Sequence, residues 1–301
     1  MRHLSGLAEL QDGVITRRAL ISAGVPPHVL RRLLRSQEWS PLLRGSYLVD
    51  PGREGPALQR SWARAAVLTV PGSVIGAGSA AALHGVDGAP RRGVVDVVVD
   101  RHVKAQQRRL HPHRFVLALG DVVDLAGLPA TSVPRTLADL VPRLQRPDAL
   151  AVLDSALRTA AVDRGGLLAA AALAGRRPGC EAVRDLWALA DGRAESPLES
   201  RVRLRCIDGG VAPDDLQLVI RDEHGHLLAR ADMAFRRRTG GRRLPLLLEA
   251  DGRSVHDAPE ALYRDRWRAN ALVALGHDVI RCTWRDTLDP AVVPWVVRQA
   301  L

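Results

Sequence analysis

Residues 227–251 read LLARADMAFRRRTGGRRLPLLLEAD, two apolar runs on either side of an arginine- and glycine-rich stretch. The first run, Leu227 to Phe235, and the second, Leu244 to Ala250, have the length of strands, and the residues between them read as a loop. Upstream, Leu216 to Arg221 is a third strand-like run, joined to the first by a turn around Glu223-His224-Gly225-His226, so a three-stranded meander is implied. Before it, Ser196-Pro197-Leu198-Glu199 carries the marks of a helix start: serine as cap, proline in the first turn and glutamate three residues after the cap. That helix is expected to run to about Asp208. Downstream, Glu260 to Leu275 reads as a helix stopped by Gly276, followed by a strand from Asp278 to Thr283 and a terminal helical piece with Trp295. Helix, three strands, helix, strand, helix describe an α/β domain over residues 191–301, entered after Asp191-Gly192.

The acids in this domain sit where chemistry can use them. Asp232 is the only acid in its strand, and Glu249 and Asp251, two apart, share a face of theirs. A hard cation such as Mg²⁺ is held by one or two carboxylates plus waters at about 2.0–2.1 Å, and it can polarise a phosphodiester and lower the pKa of an attacking water. Asp232 and Glu249 on neighbouring strands suit such an ion, Mg²⁺ or Mn²⁺. Glu199, on the preceding helix, can add a third carboxylate or orient a water, and His256, seven residues after Glu249, can carry a proton. Carboxylates beside the apolar Leu246 to Leu248 repel one another and lose hydration unless a cation or an arginine neutralises them. Arg253, Arg264 and Arg268 are the arginines that could do so as a structural network. The loop arginines Arg236, Arg237, Arg238, Arg242 and Arg243 lie between the two acid-bearing strands, where they can track a DNA backbone. Trp267 and Trp284 are expected in the core.

The segments ESPLES, RADMAF, LLLEADGRSVH and YRDRWRANALVALGHDVIRCTW, in this order over residues 194–301, resemble a family of proteins related to very-short-patch-repair endonucleases, within the PD-(D/E)XK restriction-endonuclease-like superfamily. The resemblance implies that Asp232 and Glu249 bind the metal, with Glu199 as the helix-borne glutamate and Asp251 standing where the superfamily usually has lysine. Lys104, far outside this domain, is the sole lysine of the chain. Very-short-patch relatives use histidine, which makes His256 the substitute, with Arg264 or Arg268 steadying phosphate charge. Asp251 would then bind metal, orient His256 or pair with an arginine; the three stay open.

The other end of the chain reads differently. From Val14 the text is VITRRALISAGVPPHVLRRLLRSQEWSPLLRGSYLVD. Thr16 can cap a short helix through Ser22, Gly24 ends it, and Pro26-Pro27 opens a second helix with Val29, Leu30, Leu33 and Leu34 as an apolar stripe. Two short helices around a glycine-containing turn suggest helix-turn-helix, with Arg31, Arg32 and Arg35 on or near the far face, able to meet phosphates or guanine edges in a major groove. Leu42 to Val49 reads as a hairpin or wing with Arg44-Gly45 at its turn. Between this region, residues 1–55, and the C-terminal domain lies a mixed α/β connector, 56–190. Its strands are read at Val94 to Val99 and Phe115 to Leu119, and Arg135 and Asp139, four apart on one helix, are expected to pair. His84, His102, His111 and His113 are not read as a metal site, because His111-Pro112-His113 falls in a polar loop without a carboxylate pair nearby.

The helix-turn-helix, Trp39, Arg44-Gly45-Ser46-Tyr47, SAAALHG from Ser79 and VPRTLADL from Val133 together resemble the AbiEi-like type IV antitoxins, whose N-terminal domain is a winged helix. The resemblance runs through about residue 160 and implies DNA binding, usually at the protein's own promoter, and a cognate toxin protein as a partner.

Composition sets the frame. Over 301 residues, 47% apolar and 25% charged, with a mean hydropathy of −0.05, exclude a disordered chain and a polytopic membrane protein. The longest apolar run, Leu167 to Ala174, is too short to span a bilayer, and the N-terminus lacks a signal-like apolar stretch. Three widely spaced cysteines without C-x-x-C pairing fit a reducing cytoplasm. Forty-three basic residues against 33 acidic ones give a net charge of +10, which favours a polyanionic partner. The expectation is an α+β multidomain DNA-binding protein: winged helix-turn-helix, mixed connector and restriction-endonuclease-like domain. It is either a Mg²⁺-dependent DNA endonuclease or a non-catalytic regulator or antitoxin on a nuclease-like scaffold.

Overall fold

The computed structural model describes residues 2–90, 93–99, 108–237, 244–252, 267 and 270–301. It divides into two compact units, residues 1–144 with 161–184, and residues 145–160 with 185–301. Among the described residues the fold is mixed α and β with three sheets. Among the described residues no helix is long and apolar enough to cross a membrane.

The first unit opens with α1 (Arg2–Leu10), β1 (Val14–Thr16), α2 (Arg17–Ser22), α3 (Pro27–Arg35), β2 (Ser40–Pro41) and β3 (Ser46–Leu48). Thr16 ends β1 and caps α2, its Oγ1 accepting from the Ala19 amide at 3.2 Å. Proline at the start of α3 costs nothing there, because the first amides of a helix have no partner within it. The β2–β3 turn needs a left-handed residue and finds it in Gly45, at φ +83°, whose carbonyl accepts from the Arg17 amide. β3 lies between β1 and β2, antiparallel to both, and Leu4, Ala8, Ile15, Leu20, Leu33 and Trp39 form the core beneath.

The rest of this unit comprises α4 (Gly55–Thr69), β4 (Val74–Ile75), α5 (Ala77–Leu83), β5 (Val95–Val98), β6 (Leu110–His113), β7 (Val122–Asp124), β8 (Pro129–Thr131) and α6 (Val133–Leu140). Its sheet has the order β6-β5-β4-β8-β7. The strand expected at Phe115 to Leu119 is displaced to Leu110–His113; Val116 and Leu119 point almost fully into solvent, and Phe115 instead stacks on His113. The Arg135–Asp139 pair forms as expected, Nε to Oδ2 at 2.7 Å, and Arg135 also reaches Asp121 and the Val116 carbonyl.

The second unit contains α7 (Arg146–Arg158), which precedes α8 (Arg164–Ala174) of the first in the chain, then α9 (Leu186–Leu189), α10 (Pro197–Asp208), β9 (Asp215–Arg221), β10 (Leu227–Phe235), β11 (Leu246–Ala250), β12 (Val279–Cys282) and α11 (Val292–Ala300). Ser196 caps α10 through the Glu199 amide at 3.2 Å. The sheet order is β12-β11-β10-β9, antiparallel except for the parallel pair β11 and β12. β11 is internal and covered on both faces, which is why it reads as an unbroken leucine run. Leu246 and Leu248 join Leu198, Val202 and Cys206 of α10 on one face; Leu247 joins Ala231, Ala234 and Leu272 on the other. The C-terminal end of α10 approaches α11 so closely that a Cβ on Gly209 would come within 2.3 Å of Pro294.

Candidate functional site

The strand registers line up one polar residue per strand. Glu249 pairs with Arg281 across the parallel ladder. Continuing the antiparallel ladders from Met233 opposite Leu248, and from Met233 opposite Leu216, places Asp232 opposite both Glu249 and Gln217. Gln217, Asp232, Glu249 and Arg281 therefore occupy one row across four strands. Asp232 Oδ2 accepts from the Ala250 amide at 2.8 Å, and Glu249 Oε2 lies 3.2 Å from Arg281 Nε.

Glu199 stands over the β9 end of this row. Its Oε2 accepts from the Glu195 amide and from Gln217 Nε2, both at 2.8 Å. Burial pushes its carboxyl above the ordinary carboxylate range, and the neighbouring charges of Asp232 and Glu195 push in the same direction. Gln217 holds its position at φ +56°, a left-handed conformation that costs about 1–3 kcal/mol for a non-glycine residue. Beside it opens a cleft of about 440 Å³ lined by Arg158, Gly192, Arg193, Glu195 and Gln217.

The structure thus brings Glu199 and Asp232 into electrostatic contact and sets Glu249 on the adjacent strand. Among the described residues these acids form no group of three with all ligand atoms within 4.8 Å of one another. Asp251, half-buried just past β11, donates its amide to the Cys282 carbonyl at 2.7 Å. The arginine on Glu249 is Arg281, a residue the sequence reading did not single out. Of its candidates, Arg253, Arg264 and Arg268 lie outside the described residues, as do His256, Arg238, Arg242 and Arg243.

Two expectations need correction. Arg237 is not an open loop cation: its side chain is buried and tied to Asp278 and the Ala300 carbonyl. Arg236 is exposed, with its amide on Asp214. Trp267 and Trp284 are not core residues; both are largely exposed, and the Arg201 guanidinium lies 4.4 Å from the Trp284 ring centroid.

In the first unit, Arg31, Arg32 and Arg35 are exposed on α3 and have no ion-pair partner among the described residues; Arg44 is exposed at the β2–β3 turn. Elsewhere in this unit, Asp96, His111 and His113 place one ligand atom each within 4.8 Å of one another, a group that can hold a metal ion. The sequence reading set His111-Pro112-His113 aside as a loop without carboxylates. The segment is instead strand β6, and Asp96 comes from the adjacent β5.

No family model matches the chain. The crystal structure of the Rv2827c protein from Mycobacterium tuberculosis is similar over 75% of this chain and 85% of that one, with a TM-score of 0.41 and 19% identity. The chain is 32% identical over 215 residues to the uncharacterized proteins Rv2248 and MT2308 of two Mycobacterium tuberculosis strains, spanning 67% of its own length and 71% of theirs. By that identity and coverage, it belongs to the family of Rv2248.

Proposed function

We propose that this protein binds duplex DNA through its N-terminal elements and acts as a regulator in the cytoplasm. The observation that carries this reading is the arginine trio on α3. A helix, a strand, two helices and two strands follow one another, and the second of the two adjacent helices presents Arg31, Arg32 and Arg35 to solvent. That order is the one a winged helix-turn-helix uses, with the third helix in the major groove. Exposed guanidinium groups without an ion-pair partner among the described residues are available to phosphates. In footprinting upstream of its own gene, the wild type is expected to protect a defined site without added metal, and Arg31→Ala/Arg35→Ala to weaken binding at least tenfold. Equal binding by both proteins would remove the docking claim.

Mg²⁺- or Mn²⁺-dependent hydrolysis of a phosphodiester is the second reading, favoured by one observation: Glu199 and Asp232 converge beside an arginine-lined cleft. The donor set does not fit the ion as it stands, because Glu249 is engaged by Arg281 and one Asp232 oxygen by a backbone amide. Regulation is therefore the better supported reading. Plasmid incubated with Mg²⁺ and either the wild type or Asp232→Ala/Glu249→Ala decides: nicking by the wild type alone would establish the hydrolase, and equal behaviour would discard it.

A further inference from the structure

β5 and β6 run parallel, with Asp96 opposite His111 and Val98 opposite His113. Residues two apart on a strand share a face, so both imidazoles and the carboxylate gather on one side of the sheet edge. His113 Nε2 lies 2.8 Å and His111 Nδ1 3.1 Å from the same oxygen, Asp96 Oδ1. We propose that these three atoms bind a divalent cation of the zinc class.

The geometry asks for little rearrangement. Zinc bonds nitrogen and carboxylate oxygen at about 2.0–2.2 Å in a tetrahedron, which separates neighbouring ligand atoms by about 3.3 Å. The observed separations from Asp96, 2.8 and 3.1 Å, are within about half an ångström of that. Two imidazole nitrogens and one carboxylate suit zinc, cobalt or nickel, whereas magnesium and calcium take oxygen. The ligands are also held in place. β6 is the sheet edge, where Pro112 between the two histidines sacrifices no ladder bond and blocks further strand pairing. His113 is buried and stacked on Phe115, with ring centroids 5.3 Å apart, and the Asp96 amide is fixed on Ser79 Oγ at 2.9 Å. His111 is half-exposed, which leaves an approach from solvent and a fourth position for water.

One neighbour opposes loading. Arg143 Nη1 lies 3.1 Å from His113 Nδ1, and a guanidinium only donates, so Nδ1 accepts and the imidazole proton sits on Nε2, facing Asp96. A cation at Nε2 takes the place of that proton, and Nδ1–H then faces the arginine donor. Arg143 is exposed and can turn into water. The guanidinium groups of Arg135 and Arg177 beside it are matched by Asp121 and Asp139. Arg143 is thus the local brake, and removing it should tighten binding.

Calorimetric titration of the full chain with Zn²⁺, repeated with Co²⁺ by visible absorption, tests the site. The expected result is one equivalent bound by the wild type, affinity lowered at least about tenfold in His111→Ala and in Asp96→Asn, and raised in Arg143→Met. The exposed hairpin histidine His226, which pairs with Asp222, is the competing surface site, and His226→Ala should leave binding unchanged. Circular dichroism checks that the His111→Ala and Asp96→Asn variants fold. No saturable binding by the wild type, undiminished binding by folded His111→Ala and Asp96→Asn, or loss in His226→Ala would overturn the proposal.

Discussion

Glu199 is held by two hydrogen bonds while its burial and the charge of Asp232 work against ionisation. Its pKa in the fold is therefore raised, so the folded state binds a proton there more readily than the unfolded chain does. The contribution of this group to stability grows as pH falls through the folded value and is lost as pH rises through it. Glu199→Gln retains an acceptor oxygen without the charge. It should be more stable than the wild type at pH 7.5, with the difference shrinking as pH is lowered, as read from urea midpoints at both ends. Glu199 is legible in the sequence as the glutamate three residues after a serine cap, and Asp232 as the only acid in its strand. Gln217, Arg281 and Asp96 are not. Each acquires meaning only from strand register, and period-2 alternation says which face a residue takes without saying which residue stands opposite.

Among the elements, α7 and α10 are joined by a buried ion pair. Arg203 donates to both oxygens of Asp154, at 2.8 and 2.9 Å, and Asp154 also accepts from the Asp191 amide at 2.7 Å. Burial still pushes the Asp154 carboxyl upward, so the hydrogen bonds from Arg203 and the Asp191 amide have a large desolvation cost to offset. Arg203→Met should lower stability by about 3–5 kcal/mol in a denaturant titration, because it strands a buried carboxylate. Gly209→Ala should cost about 1–3 kcal/mol, since the added methyl meets Pro294 and α11 must shift. The starts of α2, α3 and α10 were legible from Thr16, Pro26-Pro27 and Ser196, because capping is local chemistry. The irregular path after His113 was not: Phe115 to Leu119 is a strand-like run by composition, whereas in the fold Phe115 stacks on His113 and Val116 and Leu119 are exposed.

For the whole molecule, the net charge of +10 was legible and bears on affinity for a polyanion. DNA affinity should fall steeply with salt, and each phosphate-contacting arginine removed from α3 should reduce the slope of log K against log salt by about 1. The part α7 plays was not legible. It lies in sequence between the segments of the first unit yet packs with α10 in the second. A fragment of residues 145–301 should therefore unfold cooperatively, whereas 191–301, which lacks Asp154, should show a shallow, early transition in the same experiment.

The position of α7 also sets a timetable during translation. Asp154 leaves the ribosome forty-nine residues before Arg203, and in that interval the last segment of the first unit, 161–184, is still being made. The nascent chain must keep a helix whose residues from Ala149 to Ala156 are all buried in the fold, its acid among them, hydrated until the partner arrives. Val293 and Val297, which pack with Leu198, Val202 and Cys206 of α10, follow later still. The core of the second unit closes only when synthesis has passed residue 297, so a stall before that point would leave the apolar face of α10 uncovered for chaperones to find.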